Sequence, residues 1–438
     1  MKKYSLLHIA KLSFPIFLAN AAIPMVGIID TSLMGNLGNI SYLSATSIAA
    51  NLFSMIFWSF GFLKMGTVGM VSQAHGKKNY NKILNILFRN LSFVFIISLI
   101  LIVSQFLLLE ISLNFFELSK DTERFYKQYF DIRIYSAPGE LTLYILTGIF
   151  IGLQKTKTSS IIVSCFSILN ILLSVIFVVY FDLNIKGVAY GSLFAGLITS
   201  VIFLIYTFKY LKKFIQIKVN FNEIFSSDKI KNIFHINLNI FIRTILLSFA
   251  FLWFIYQSNK IGEEYVAANT ILINLVNLAA FILDAYAFAT QGMVGYSIGK
   301  DDKKLFRIIV KNSFILSAFT GVVISVIYFF TYKEIIYLMS DIDLIRELSI
   351  NYAIWLIILP VISSFCYQFD GIFIGASQTV ELRNAMIFSV TIYLIASILL
   401  AKYFINTGLW ISLSIFMILR ALSLYYYLNR IYLRFGNG

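Results

Sequence analysis

Apolar residues run along this chain in long unbroken blocks rather than in the alternation of a half-buried strand. Twelve blocks can be marked off, at about 12–34, 43–71, 86–109, 128–153, 160–180, 187–208, 230–257, 264–293, 306–330, 349–375, 384–402 and 407–429. A membrane-spanning helix needs roughly 20 apolar residues, and these blocks are of that order. Their uniformity excludes an outer-membrane barrel, whose strands alternate between lipid and lumen. Only a helix satisfies its own backbone hydrogen bonds inside hydrocarbon, so the blocks, numbered here as spans 1 to 12, predict an all-α membrane protein. The first block follows Met1-Lys2-Lys3, is about 23 residues long and lacks a small-residue cleavage site, so it is expected to stay as span 1 rather than act as a signal peptide.

The blocks repeat. Gly148-Ile149-Phe150-Ile151-Gly152 recurs as Gly371-Ile372-Phe373-Ile374-Gly375, an offset of 223 residues. That offset also carries Gly69-Met70-Val71 onto Gly292-Met293-Val294, Gly76-Lys77 onto Gly299-Lys300, Ala45 onto Ala268, Asn51 onto Asn274 and Thr156 onto Thr379, while Pro138 and Pro360 agree within one residue. The expected organisation is a six-span lobe over 1–208, a basic cytoplasmic linker over 209–229 and a second six-span lobe over 230–438. An even number of spans per copy inserts both copies in one orientation, which predicts two bundles related by a pseudo-two-fold axis along the membrane normal. Such a pair suits alternating access to a central cleft better than it suits a channel. At the charges the copies diverge: Asp30 maps on Trp253, Asn20 on Arg243, Gly61 on Asp284 and Thr147 on Asp370.

Composition agrees with the bilayer as solvent: 59% of the 438 residues are hydrophobic, 13% are charged and mean hydropathy is +0.83. The formal charge of +14 would suggest nucleic acid were the basic residues not distributed by loop. With the N-terminus inside, the inner loops hold 21 Lys and Arg and the outer loops 8, which places both termini in the cytoplasm. The lysines then face anionic headgroups, and no nucleic-acid partner is expected. Cys165 and Cys366 lie within spans, His8, His75 and His235 are scattered, and no phosphate-binding GxxxxGK[ST] loop occurs. No cofactor or metal is expected beyond a coupling H+ or Na+, and nothing forms a nucleophile with a base and an orienter, so no enzyme is expected.

A charge near the bilayer centre costs about 2.5–3.5 kcal/mol on insertion scales, so each one asks for a partner or a purpose. The acids inside spans are Asp30, Glu140, Asp284 and Asp370; the bases are Lys64, Arg133, Arg243 and Arg420. Asp30 is alone on span 1, and Asn170 with Ser174 one turn on could orient it from span 5. These three with Ser192 form the candidate ion-coupling set, and a carboxyl starved of water is suited to loading and releasing a proton. The plainer alternative is a helix-end acid touching water. Glu140 follows Pro138, which can open a bend, as can Pro360; Glu140 either faces a cavity or is tied to Arg133. Arg243, Asp284 and Asp370 are grouped as a second polar network, structural or coupling. Lys64 can snorkel to the cytoplasmic side. Asp30, Met25, Met34, Tyr135 and Glu140 are the candidate substrate contacts, with Phe57, Phe150 and Phe373 as further apolar residues that could line a cleft or merely pack.

These residues resemble the multidrug and toxic compound extrusion (MATE) family, and within it the DinF-like branch. Asp30-Thr31 followed by Gly35 to Gly38, Tyr135-Ser136-Ala137-Pro138 with Gly148 to Gly152, Asn237 to Arg243, Leu283-Asp284, and Phe369-Asp370-Gly371 through Ala376 with Glu381 to Asn384 carry the resemblance over about residues 11–430. It implies efflux of amphipathic, often cationic compounds in exchange for protons or sodium, with Asp30 as the central coupling residue and Asn170 in the same polar site. Relatives often carry a second aspartate in span 5 where this chain has Ser174, and one carboxylate holds sodium less well than two, which favours H+. The expectation is a monomeric antiporter of the prokaryotic cytoplasmic membrane; the alternative is a flippase for a lipid-linked sugar or other lipid.

Overall fold

The computed structural model describes residues 5–116, 118–215, 226–433 and 435, without the side chain of Ile23. Residues 216–225 of the expected linker lie outside them, as do Lys2, Lys3, Lys218 and Arg434 of the basic loops. The chain forms two compact units: an N-terminal unit, Leu18–Phe234, and a C-terminal unit, Met1–Phe17 with His235–Gly438.

The first half carries α1 (Leu6–Gly35), α2 (Ile40–Ser59), α3 (Phe62–Gly76), α4 (Tyr80–Val103), α5 (Gln105–Phe116), α6 (Lys120–Arg133), a 3-10 turn at Ile134–Ser136, α7 (Ala137–Gly152), α8 (Thr156–Val175), a π turn at Ile176–Tyr180 and α9 (Asn184–Lys212). The second carries α10 (Ser227–Ile261), α11 (Glu263–Gly299), α12 (Lys303–Met339), α13 (Asp343–Tyr352), α14 (Ile354–Gly375) and α15 (Thr379–Tyr432). No strand occurs among the described residues. Among the described residues, eleven stretches are long and apolar enough to cross a membrane. One of them, α15, has 54 residues and leaves helical geometry at Ile405 (φ 50°, ψ −128°). An unbroken helix of that length would measure about 80 Å against a hydrocarbon core of about 30 Å. The break makes it two passes, giving twelve.

The 223-residue offset reaches the helix ends. Ile40, Gly76, Tyr80, Lys120, Gly152 and Thr156 bound elements of the first half as Glu263, Gly299, Lys303, Asp343, Gly375 and Thr379 bound those of the second. The stops are built alike. Lys78 and Asp301 (both φ 55°) and Gln154 and Ser377 (φ 58° and 54°) are left-handed residues that end a helix. Behind each, the next amide folds back on the last turn: Asn79 N to Ala74 O and Asp302 N to Ser297 O, Lys155 N to Phe150 O and Gln378 N to Phe373 O. The starts after the first pair match too, since Asn79 accepts from Lys82 N and Asp302 from Leu305 N, both at 2.9 Å.

The repeated GIFIG string has a packing reason. A Cβ on Gly148 would stand 2.8 Å from the Lys64 carbonyl oxygen, and one on Gly371 would stand 2.6 Å from that of Ala287, and the two contacts are themselves 223 residues apart. Hydrocarbon gives helices no hydrophobic reason to associate, so close backbone approach at small residues does that work. These glycines draw α7 against α3 and α14 against α11, and α7 and α14 belong to the two spans with the largest buried shares.

The units differ where α2 and α3 are separate helices around Phe60 and Gly61 while α11 runs through and places Asp284 at the equivalent position. At Asp182 and Ile405, also 223 residues apart, both copies take a positive φ (51° and 50°), but the second places an isoleucine there. A β-branched residue there is strained. Next to it, Asn406 is fixed by a buried amide pair: Asn269 Nδ2 donates to Asn406 Oδ1 at 2.7 Å, Asn406 Nδ2 returns to Asn269 Oδ1 at 3.1 Å, and Trp410 Nε1 adds a third bond at 3.0 Å.

Gly371→Val is expected to lower the thermal midpoint in detergent, by the equivalent of about 1–3 kcal/mol for overpacking. Gly35→Ala, where nothing lies within 4 Å of the new Cβ, leaves the midpoint in place. Equal losses in the two variants would show that the α11–α14 approach is not what Gly371 protects.

Candidate functional site

In the N-terminal unit, α1 delivers Asp30 near its C-terminal end, 6% exposed. Asn170 and Ser174 lie on one face of α8 because residues four apart share a face. Ser174 Oγ donates to Asn170 Oδ1 at 3.3 Å and Asn170 Nδ2 donates to Ser192 Oγ of α9 at 3.1 Å. The Ser174 hydroxyl also acts on the Asp30 carboxyl. The four expected coupling residues are thus brought together, all buried. Gly191 lets α9 approach, since a Cβ there would stand 2.7 Å from Ser174 N. The π turn at Ile176–Tyr180 follows at once and alters the register of α8 beyond the site. Asp30 Oδ1 has no hydrogen-bond partner among the described residues.

Glu140 is bound to Arg133, whose Nη1 donates to Glu140 Oε1 and to Ser136 Oγ. The 3-10 turn before Pro138 keeps the chain helical through the junction: Arg133 ends α6 and Glu140 lies in the first turn of α7, seven residues or about two turns on, which brings the two side chains within reach. The guanidinium stacks over Phe57 and Phe53, 5.1 and 5.6 Å from the ring centroids. Its charge reaches Asp30. Tyr129, one turn earlier on α6, lies within electrostatic reach of Arg133, Asp30 and Glu140. The sequence reading had placed neither Arg133 nor Tyr129 beside Asp30; the signal available was their four-residue spacing on α6.

The expected substrate contacts differ in exposure. Met25 and Tyr135 are 50% and 44% exposed, while Met34 is fully buried, as are Phe57, Phe150 and Phe373. Phe57 packs beside Phe53, and Phe150 against Tyr206 and Tyr210.

In the C-terminal unit, Asp370 Oδ2 accepts from two guanidiniums at once, Arg243 Nη2 and Arg420 Nη2, the latter at 2.6 Å. Arg420 is 1% exposed and stacks on Phe416. Asp284 acts electrostatically on Tyr367 and Cys366 of α14. The grouping read from sequence, Arg243 with Asp284 and Asp370, therefore gains a second base from α15. Asp370 owes its position to Gly371, which brings α14 onto α11. One turn along, Thr290 Oγ1 donates to Gln368 Oε1 at 2.9 Å. Pro360 lies inside α14, its carbonyl 2.8 Å from a Cβ built on Gly321, and Ser363 Oγ caps the Leu359 carbonyl at 2.7 Å. Among the described residues no three His, Cys, Asp or Glu side chains converge to hold a metal.

Two stretches of the chain, 15–176 and 240–400, match the MatE family. The chain belongs to the MATE family. Within it this MATE protein is DinF-like: it is 27% identical over 416 residues to DNA damage-inducible protein F of Escherichia coli (strain K12), covering 94% of this chain and 90% of that one. It is 22% identical to the multidrug export protein MepA of Staphylococcus saprophyticus, over 75% of this chain and 72% of that one. Solved structures share the fold. They include a MATE protein in the bent conformation (TM-score 0.86, 18% identity, 97% and 95% of the chains), one in complex with MaD3S (0.85, 17%, 97% and 96%) and a MOP superfamily transporter from Pyrococcus furiosus (0.85, 16%, 97% and 96%). The protein is a multi-pass membrane transporter of the multidrug and toxic compound extrusion family, and not an enzyme.

Removing Asp370 leaves two buried guanidiniums facing each other, and breaking a buried ion group by deleting one partner costs about 3–5 kcal/mol. Asp370→Ala is expected to lose stability on that scale in thermal unfolding of the purified protein. An unchanged midpoint would show that the trio is not structural.

Proposed function

We propose that this protein is a proton-coupled antiporter that exports amphipathic, cationic compounds, with Asp30 as its coupling acid. The carrying observation is how the N-terminal unit treats its two central acids: Glu140 is neutralised by Arg133, whereas Asp30 has the Ser174 hydroxyl beside it, feels Arg133 only at longer range and keeps one oxygen without a partner among the described residues. A carboxylate left without a fixed cation is one that a proton or a cationic cargo can neutralise. Ligands that compete for one group, or that bind its two protonation states differently, are coupled. Ser174 stands where a second carboxylate would strengthen sodium binding, which supports H+ over Na+.

A small-molecule cargo accords with the MaD3S complex of a structural relative. Met25 and Tyr135 are the exposed candidates for cargo contact. A flippase of anionic lipid-linked sugars would draw on cations directed at its cargo. Arg133, Arg243 and Arg420 each donate to a buried carboxylate, which favours the antiporter. In this reading the protein works as a monomer in a prokaryotic cytoplasmic membrane with both termini inside, anionic lipid lying against its inner loops; support comes from the loop distribution of Lys and Arg.

Asp30→Asn keeps the shape and removes the titration. It is expected to abolish pH-gradient-driven efflux of a cationic dye from vesicles while the protein stays folded. Undiminished gradient-driven efflux would remove Asp30 from the mechanism.

A further inference from the structure

Three charges meet in the N-terminal unit, and two could neutralise each other in more than one way. Facing Asp30 are Ser174 from α8 and Arg133 from α6, with Tyr129 of α6 within reach of its charge. Arg133 in turn donates to Glu140 and Ser136, with Phe53 and Phe57 of α2 against its guanidinium. Tyr144, one turn after Glu140 on α7, lies in the field of Glu140 and Arg133. An arginine in this position has two carboxylates to choose between. Were it to pair with Asp30, that acid would be neutralised permanently and could exchange neither a proton nor a cation. Glu140 removes the choice, because a short charge-assisted hydrogen bond outweighs a longer-range attraction. Helical geometry carried through the 3-10 turn Ile134–Ser136 sets that pairing, because Glu140 follows Arg133 by seven residues, about two turns.

We propose that Glu140 is a positioning residue whose carboxylate holds the Arg133 guanidinium off Asp30, keeping Asp30 available to a proton or a cationic cargo. This rests on Asp30 being the coupling acid. It gives Glu140 a task distinct from touching cargo, and the two are separable by charge arithmetic. In Glu140→Gln, Arg133 is released toward Asp30; in Arg133→Gln, Glu140 is left as a second negative charge near it; in the double variant the neutral pair leaves Asp30 as it was.

The test is the pH profile of dye efflux driven by a proton gradient in proteoliposomes, measured for the wild type, the two single variants, the double variant and Asp30→Asn. The expected result is that the pH of half-maximal transport falls by about one unit or more in Glu140→Gln, as for an acid gaining a nearby cation. It rises in Arg133→Gln and returns close to the wild-type value in Arg133→Gln/Glu140→Gln. A purely structural pair would lower activity without moving the midpoint in opposite directions. Glu140→Gln and the double variant sharing an unshifted midpoint, or a folded double variant without transport, would overturn the proposal, the second result by making Glu140 a cargo contact. If a single variant does not fold, the double variant and a second neutral pair, Arg133→Met/Glu140→Met, decide it: a wild-type midpoint supports the proposal and lost transport in monodisperse protein overturns it. Asp30→Asn keeps the outcomes apart, since retained proton dependence there rejects the reading of Asp30 whatever Glu140 does.

Discussion

The cost of an uncompensated charge in hydrocarbon governs this molecule. At several kcal/mol for each charge, the bilayer admits few ionised side chains and obliges them to find one another. Asp370 answers it by accepting from both Arg243 and Arg420, and Glu140 answers it with Arg133. The Asp370 group brings together side chains from α10, α14 and α15, whereas Arg133 and Glu140 share one span. Gly148 and Gly371 pack the units where no hydrophobic driving force does, drawing α7 onto α3 and α14, which carries Asp370, onto α11. Asp30 departs from the pattern. It has the Ser174 hydroxyl beside it, with Asn170 and Ser192 hydrogen-bonded behind, and feels Arg133 only at longer range.

Duplication explains how one scaffold holds two chemistries. Helix ends, left-handed stops and the glycine contacts recur at one offset, because they are backbone requirements that both copies still have to meet. Side chains in the interior are under no such tie. Where the first copy breaks between α2 and α3 at Gly61, the second runs on and carries Asp284. Thr147 precedes the first GIFIG string where Asp370 precedes the second. The fixed network of the C-terminal unit and the single oriented acid of the N-terminal unit are thus substitutions on one frame.

Much of this was legible in the sequence. Apolar block length gave the spans, and the GIFIG repeat gave the duplication down to the residue offset. Asp30, Asn170 and Ser174 could be grouped because two of them share a helix face and the third is alone on its span. Partner choice between distant helices was harder to read. Arg420 belongs with Asp370, 50 residues away, yet helices that are apolar all round carry no amphipathic stripe to say which face meets which neighbour. The same lack left Met34 among the expected cargo contacts although it is buried, and it hid Arg133 and Tyr129 from Asp30. The break at Ile405 falls in the gap between the apolar blocks 384–402 and 407–429, but its amide support, Asn269, comes from another helix and left no local signal.

The central claim is that one carboxylate, Asp30, left unpaired because the nearby Arg133 is bound to Glu140, couples this transporter to protons. The most direct measurement is cargo movement in proteoliposomes holding the purified protein, with proton and sodium gradients imposed independently. The account predicts that a proton gradient drives cargo against its own gradient at any sodium concentration, and that a sodium gradient alone at equal pH drives none. Uphill movement on sodium alone, with no response to the proton gradient, would contradict it.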